Sequence, residues 1–363
     1  MHVLHYLPSA LAGDFGSANA IRGWARAHAA VPGVRVTLVV DAARATIAAP
    51  PGVAVREVAH VLSANRWELP VGLRAALADA DVVALHSGWT PAMVIAADVC
   101  RDLGKPYVVC PHGAYHPSVV ARNPVEKRLW WSAFDRAYLE GAALVHVNFE
   151  AERAYLAALG VDRPLLVAPN GCTFPEDRSW DGGSSGALLW LGRFDIATKG
   201  IDLMLEGLAR LDPATRPPLR MHGPAWSGPR EPIEALITRL GLGPWVTFGD
   251  FVSTEEKWRL LCSARGFLYP SRWEGCPAAV QEAVGLGVPT LTGPYNMGTF
   301  LEELGAAIRC GATPEALARG LTRLLSPEAV AMAERGRQIA REHLSWDAVA
   351  LRWVVGVRAA LKK

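Results

Sequence analysis

Short apolar runs alternate with longer amphipathic stretches from one end of this chain to the other, and that alternation narrows the choice of folds more than any other feature. HVLHYL, RVTLVV, VVALH, YVVCPH, LVHVN and LLVAPN have the length and the β-branched content of buried strands. Helical stretches lie between them, such as Ala18 to Ala30 and Glu126 to Glu140, bounded by glycine and proline. Near-continuous apolar strands separated by helices belong in parallel sheets covered on both faces, so this half predicts a doubly wound α/β domain. A second series, ALLWLGR, LRMHGP, VTFGD, GFLYPS, VPTLTG and AAIRC, predicts another domain of the same kind. The 363 residues are more than one core usually serves, which agrees with two Rossmann-like domains facing a cleft. The run DRSWDGGSSGA, residues 177–187, has little to bury and reads as the linker, giving domains 1–180 and 181–345. Residues 346–363 carry apolar positions at helical spacing and a basic end, as expected of a terminal helix packing back across the domains.

Composition narrows the partners. A formal net charge of +2 without a basic run argues against nucleic acid. The opening MHVLHYLPSA has no basic-then-apolar leader pattern and no apolar stretch is long enough to span a bilayer, so the expected location is the cytoplasm. Cys100, Cys110, Cys172, Cys262, Cys276 and Cys310 are scattered without CxxC pairing, which opposes a zinc site or a disulfide scaffold. In ARNPVEKRLWWSAF, Arg122, Lys127 and Arg128 mix with Trp130 and Trp131 as in a membrane-surface helix, which would make the protein peripheral at the inner membrane face. Glu126 and Asp135 dilute that charge, and a helix packed by its tryptophans is the favoured reading.

The most informative segment is PSRWEGCPAAVQEAVGLGVP, residues 270–289, where a strand ends and a helix opens at Pro277. Free N–H groups around Cys276, Pro277, Ala278 and Ala279 would form a seat for a diphosphate. Glu274 precedes that helix and Glu282 lies about one and a half turns inside it, a separation of roughly 10 Å along the axis that suits a sugar and a ribose flanking two phosphates. In GRFDIATKG, Arg193 ends a strand and Lys199 precedes the next helix. Together they can grip phosphate oxygens and offset the charge on a departing nucleotide. Both lie at the C-terminal edge of parallel strands, where open α/β sheets bind ligands.

GRFDIATKG, the E-x7-E of PSRWEGCPAAVQEA, APNG at 168–171 and PHG at 111–113 together resemble the large retaining glycosyltransferase family that contains sucrose synthase and many bacterial envelope mannosyl- and glucosyltransferases. The resemblance covers nearly the whole chain. It implies the glycosyltransferase B (GT-B) fold, a nucleotide-sugar donor bound mainly by the second domain, and a glycan, lipid-linked or small-molecule acceptor bound mainly by the first. It also implies retention of anomeric configuration, no cofactor and no obligatory metal. Carried over by residue, it implies that Arg193 and Lys199 hold the diphosphate, Glu282 bonds the ribose, and Glu274 and His112 face the transferred sugar. Gly16 and Ser17 would approach the phosphates, although the family often has two adjacent glycines where this chain has Phe15 before Gly16.

Loops at the same edge of the first domain place Asp14, Trp89 and Tyr115 on the acceptor side, where rings stack on sugars and carboxylates bond hydroxyls. His112 and His116 have an H-x3-H spacing, but Pro111 and Gly113 oppose the regular helix that a metal pair would need. Asp79 and Asp81 form a D-x-D at the start of the strand VVAL, away from the ligand edge, and read as a turn. The simplest scheme expels the diphosphate against Arg193, Lys199 and the helix start while the acceptor attacks the same face, because no carboxylate can be assigned as a nucleophile. UDP is favoured over GDP as the donor's nucleotide. The rivals are a nucleotide-sugar epimerase and a non-catalytic nucleotide-sugar-binding protein, since fold alone excludes neither. A nicotinamide dehydrogenase would need a G-x-G-x-x-G after the first strand, which is missing.

Overall fold

The apolar runs become parallel strands, and helices fill the connections between them. The computed structural model describes residues 1–13, 16–61, 69–224 and 229–362 and divides the chain into two units. Unit 1 is Met1–Gly171 together with the chain from Trp346 onward, and unit 2 is Cys172–Ser345.

In unit 1 the strands are β1 (His2–Tyr6), β2 (Arg35–Asp41), β3 (Val53–Val61), β4 (Leu69–Val71), β5 (Val82–His86), β6 (Tyr107–Cys110), β7 (Leu144–Val147) and β8 (Leu165–Val167). They form one sheet in the order β4-β3-β2-β1-β5-β6-β7-β8, parallel throughout except for the antiparallel pairing of β3 with β4. The strand order reverses beside β1, which pairs with β2 on one side and with β5 on the other. Such a switch point opens a crevice at the C-terminal ends of the strands. Residues of opposite parity on β1 face opposite sides of the sheet. Leu4 and Tyr6 pack with Leu85, Val109 and the helix Pro91–Asp102, while Val3 packs with Val82, Ala84, Val108, Trp24 of the helix Gly16–Ala30, and Trp353. Trp353 belongs to the C-terminal helix Trp346–Ala360, which groups with this unit. Its Trp346 ring fills the space that a Cβ on Gly23 or Gly171 would occupy, so a larger residue at either position would expel it.

Unit 2 contains β9 (Leu188–Leu191), β10 (Leu219–His222), β11 (Val246–Gly249), β12 (Gly266–Tyr269), β13 (Thr290–Thr292) and β14 (Ile308–Arg309). Their order is β11-β10-β9-β12-β13-β14, all parallel, with the switch point between β9 and β12. The loops after these two strands are GRFDIATKG and PSRWEGCP. Topology therefore puts the two motifs side by side.

The structure corrects the expected domain boundary. The divide falls at 171/172, and run 177–187 is a loop held within unit 2. Trp180 N donates to Leu286 O, Asp181 N to Cys262 O and Ser185 N to Ser263 O, while the Asp181 carboxylate accepts from Gly183 and Ser184 N. Polar residues with nothing to bury are used here to satisfy backbone groups. The actual crossing pairs Cys172 with Ser345 in a parallel bridge. Strands β3 and β4 add to the sheet predicted for this half, and the expected helix 126–140 begins at Pro124 and carries a π turn at Trp131–Asp135. Among the described residues no helix is long and apolar enough to cross a membrane.

Candidate functional site

In unit 2 the loop after β9 is shaped by its own sequence. Asp195 caps the short helix Ile196–Lys199, its carboxylate accepting from Thr198 N at 3.1 Å, and Gly200 ends that helix with φ 63°. A side chain at Gly200 would be strained by this left-handed backbone and would collide with Pro270 O. The turn carries Lys199 inward, where it is 7% exposed. Its Nζ donates to Tyr269 Oη at 2.9 Å and to Glu274 Oε1, and lies 5.0 Å from the Tyr269 ring centre. Burial works to lower the Lys199 pKa, but Tyr269 and Glu274 outweigh it and hold the pKa above its ordinary value, so the ammonium stays charged. The loop after β12 is tied to the same turn: Arg272 N donates to Thr198 O, and the Arg272 guanidinium makes paired bonds of 2.8 and 2.7 Å to Asp202. Ser271 Oγ is buried there without a partner. Arg193 is exposed at the end of β9.

The helix following that loop runs Ala278–Leu286, and Pro277 is its N-cap residue rather than its first helical residue. The Pro277 side chain does not cap this end, and of the donors anticipated at Cys276, Pro277, Ala278 and Ala279 that of Pro277 is missing, because proline has no N–H; Ala278 and Ala279 open the helix itself. Glu282 is 8% exposed, against the ordinary expectation for a helical glutamate. Its Oε1 accepts from Lys257 Nζ at 2.6 Å, whereas Oε2 is buried beside the Trp258 indole N–H, outside strict hydrogen-bond geometry but near enough to favour the carboxylate. Burial raises the Glu282 pKa, with Lys257 and the adjacent Trp258 pulling against that rise. Lys257, on the helix Thr254–Ser263, escapes the sequence reading. It stands 25 residues from its partner, and EEKW looks like any solvated helical face.

In unit 1 the outcome is mixed. Gly16 and Ser17 are exposed in the first turn of the helix Gly16–Ala30, with open space around Gly16, while Asp14 lies outside the described residues. Of the residues expected on the acceptor side, Tyr115 through its buried hydroxyl and Trp89 through its backbone N–H serve the buried carboxylate of Asp135 in the π turn, while the Trp89 ring is half-buried. Tyr115 is 3% exposed and its hydroxyl donates to Asp135 Oδ2 at 2.9 Å, Trp89 N donates to the same oxygen at 2.8 Å, and Trp130 Nε1 donates to Oδ1 at 2.7 Å. The Trp89 indole donates instead to Ala114 O. Trp131 packs against Trp89 and Tyr115, while Val125 and Leu129 on the same helical stretch face solvent. Asp79 is held by Arg56 and Asp81 accepts from His2 N, as befits a turn ahead of β5.

His112 follows β6 in the left-handed region, φ 50°, a conformation that histidine adopts more readily than most residues. It is half-buried, and its Nε2 meets His86 Nδ1 at 2.8 Å. Burial, reinforced by the neighbouring His146, pushes the His112 pKa down to about 3, so the ring is neutral at physiological pH. His116 turns away, its Nδ1 capping the helix Pro117–Val120.

Two doubly wound units, with a buried lysine, two glutamates and an uncapped helix start at the switch point of the second, define the GT-B class. The comparisons agree. Residues 185–327 match the family described as glycosyl transferases group 1, and residues 15–171 match the glycosyl transferase 4-like domain. The MMP alpha-(1->4)-mannosyltransferase of Mycolicibacterium hassiacum is 28% identical over 219 residues, covering 58% of this chain and 50% of the relative, so the matched stretch spans about half of that relative's length. Sucrose-phosphate synthase from Thermosynechococcus elongatus superposes with a TM-score of 0.76 at 18% identity over 99% of each chain. Anabaena HepE in complex with UDP gives 0.79 at 16% identity over 99% of this chain and 100% of that one. The chain belongs to the GT-B glycosyltransferases.

Proposed function

We propose that the chain transfers a hexose from a UDP-sugar to a glycan, lipid-linked or small-molecule acceptor, with retention of configuration and without a metal. The observation that carries this reading is the buried Lys199 ammonium, kept charged by Glu274 and Tyr269 in a loop adjoining that of the uncapped helix start. Such a preorganised cation is suited to charge developing on a leaving diphosphate. The donor's C1–O bond breaks toward UDP, with Lys199, Arg193 and the helix N–H groups taking up the charge. The acceptor oxygen bonds C1 on the same face, and its proton passes to a leaving-group phosphate oxygen, so the products are glycoside and UDP. Glu282, whose Oε2 lies buried beside the Trp258 indole, is the acceptor for a ribose hydroxyl. Glu274 and His112 address the hydroxyls of the transferred sugar. UDP is supported by HepE, a protein of the same fold whose structures hold UDP and UDP-glucose, and a hexose by the mannosyltransferase relative.

The test is a thermal-shift screen of nucleotide sugars, followed by incubation of the stabilising donor, labelled at C1, with candidate acceptors in the presence of EDTA. A ligand that binds only the folded state raises the unfolding temperature by mass action. A product with the donor's anomeric configuration is expected. An inverted product, loss of transfer in EDTA, or recovery of the donor as its epimer would overturn the corresponding part of the proposal.

A further inference from the structure

Four histidines form a line through unit 1. His28 Nδ1 meets His5 Nε2 at 3.0 Å, His5 Nδ1 meets His86 Nε2 at 2.8 Å, and His86 Nδ1 meets His112 Nε2 at 2.8 Å. Three of these residues come from adjacent strands of the sheet. His5 lies on β1, His86 ends β5 and His112 follows β6, while His28 reaches in from the last turn of the helix Gly16–Ala30. Successive rings are nearly coplanar, at interplanar angles of 18–20° and centroid separations of 5.0–5.1 Å, so they meet edge to edge along their N···N contacts. Trp353 and Trp24 flank the far end, with ring centres 4.3 and 5.2 Å from that of His28. His5, His28 and His86 are at most 1% exposed.

A neutral imidazole has one N–H and one bare nitrogen, so each ring must donate on one side and accept on the other. The line therefore has only two hydrogen-bonded arrangements, and all four tautomers change together. In one, every ring donates toward His112, leaving His112 with Nδ1–H and His28 with a bare Nε2. In the other, every ring donates toward His28, leaving a N–H on His28 Nε2. That nitrogen is buried with no hydrogen-bond partner, and an orphaned buried N–H is the rarer and costlier defect. Burial keeps the pKa of all four rings below the ordinary histidine value, which keeps the line neutral. At the other end His112 is half-buried and makes no further hydrogen bond among the described residues.

We propose that His28, His5 and His86 are positioning residues that lock His112 in its Nδ1–H tautomer, so that it meets the substrate as a neutral hydrogen-bond donor to an oxygen lone pair of the transferred sugar. The substrate half of this inference rests on the proposed sugar transfer, but the tautomer does not. A substrate oxygen facing His112 must then accept, which favours a hydroxyl or ring oxygen over a group that can only donate.

The test is long-range proton–nitrogen NMR of the full-length chain labelled with 15N-histidine, with His112 assigned by its loss in His112→Asn. The wild type should show protonated Nδ1 and bare Nε2 on His112. His28→Leu ends the line at a buried His5 Nε2, where the same cost of an orphaned N–H should keep His112 in its Nδ1–H form. His28→Asp puts an acceptor at that end instead, so His5, His86 and His112 should shift together toward the other tautomer, with kcat lower by about tenfold, the worth of one hydrogen bond. His28→Asn, whose amide can donate as Nδ1–H does, should keep the wild-type spectrum and kcat. A wild-type His112 protonated at Nε2, with the stray N–H of His28 against the Trp353 ring, would overturn the proposal. So would a folded His28→Asp whose tautomers do not move. If His28→Asp does not fold, the wild-type spectrum still decides. A correct tautomer in a chain that transfers no sugar would leave the relay standing and refute the function alone.

Discussion

Acid should unfold unit 1 before unit 2, because unit 1 buries neutral histidines in its sheet. Burial, with neighbouring rings adding to it, brings His5 to about 3 and holds His28 and His86 well below 6.5, while burial brings His146 to about 4 against the pull of Ala168 O. Unfolded, each returns to about 6.5 and binds a proton that the folded state refuses. Their contribution is therefore intact above pH 6.5 and is lost as the pH falls below it. At pH 5.5 each costs about 1.4 kcal/mol, about 6 kcal/mol for the set, against about 0.6 kcal/mol at pH 7. Glu152 runs the other way. Burial raises it to about 7 despite its bonds from Asn148 and Phe149 N, so the folded form takes up a proton between pH 7 and 4.5. That returns about 1.6 kcal/mol by pH 5.5. The net loss, about 3–4 kcal/mol, is a large share of a typical domain's stability. Hydrogen exchange with mass spectrometry at pH 7.0 and 5.5, corrected for intrinsic rates, resolves the two units in one experiment. Peptides covering β1, β5, β6 and β7 should lose protection by about 10²- to 10³-fold, and those covering β9 and β12 far less. Unchanged protection in unit 1, or an equal loss in both units, would refute the reasoning.

Lys257→Met should lower the melting temperature and weaken UDP binding by isothermal titration, since an unpaired buried carboxylate costs about 3–5 kcal/mol, less here because Lys257 is partly solvated. Adding Glu282→Gln should restore the melting temperature but not the binding, which separates the two roles of the pair. Tyr115→Phe should cost about 1–2 kcal/mol in urea unfolding by removing a donor to Asp135, while leaving the acceptor KM unchanged. A raised acceptor KM with unchanged stability would return Tyr115 to the acceptor site.

The parallel strands and the E-x7-E helix were legible because each is encoded locally, in a run of apolar residues or a spacing along one turn. What escaped depends on partners distant in sequence. His5 and His86 sit inside HVLHYL and VVALH, where each taken alone is a satisfied core histidine, and only the pairing of β1 with β5 sets them in line. Trp89 and Tyr115 have the composition of a sugar platform, but the π turn turns Asp135 inward and claims Tyr115 and the Trp89 backbone as donors. A π turn leaves no periodic signal in so short a helix. The Gly/Ser run 177–187 has the composition of a linker, yet composition does not reveal that backbone donors elsewhere in unit 2 are waiting for it.

The two lysine–glutamate pairs of unit 2 also bear on why this site is built as it is. Side-chain exposures of 8% and 14% for Lys199 and Glu274, and of 24% and 10% for Lys257 and Glu282, mean substantial desolvation that apolar residues would avoid. As stability devices they are poor value. As a waiting site they make sense, because a lone buried lysine in the empty protein would shed its proton, and Glu274 prevents that. An ammonium has three donors, of which Tyr269 and Glu274 engage two, so the third can meet a phosphate oxygen without either partner first letting go. An arginine at 199 would present a larger, rigid planar fork to two partners arranged around a compact point charge. Lys199→Arg should therefore fail almost as fully as Lys199→Ala, even though it keeps the charge.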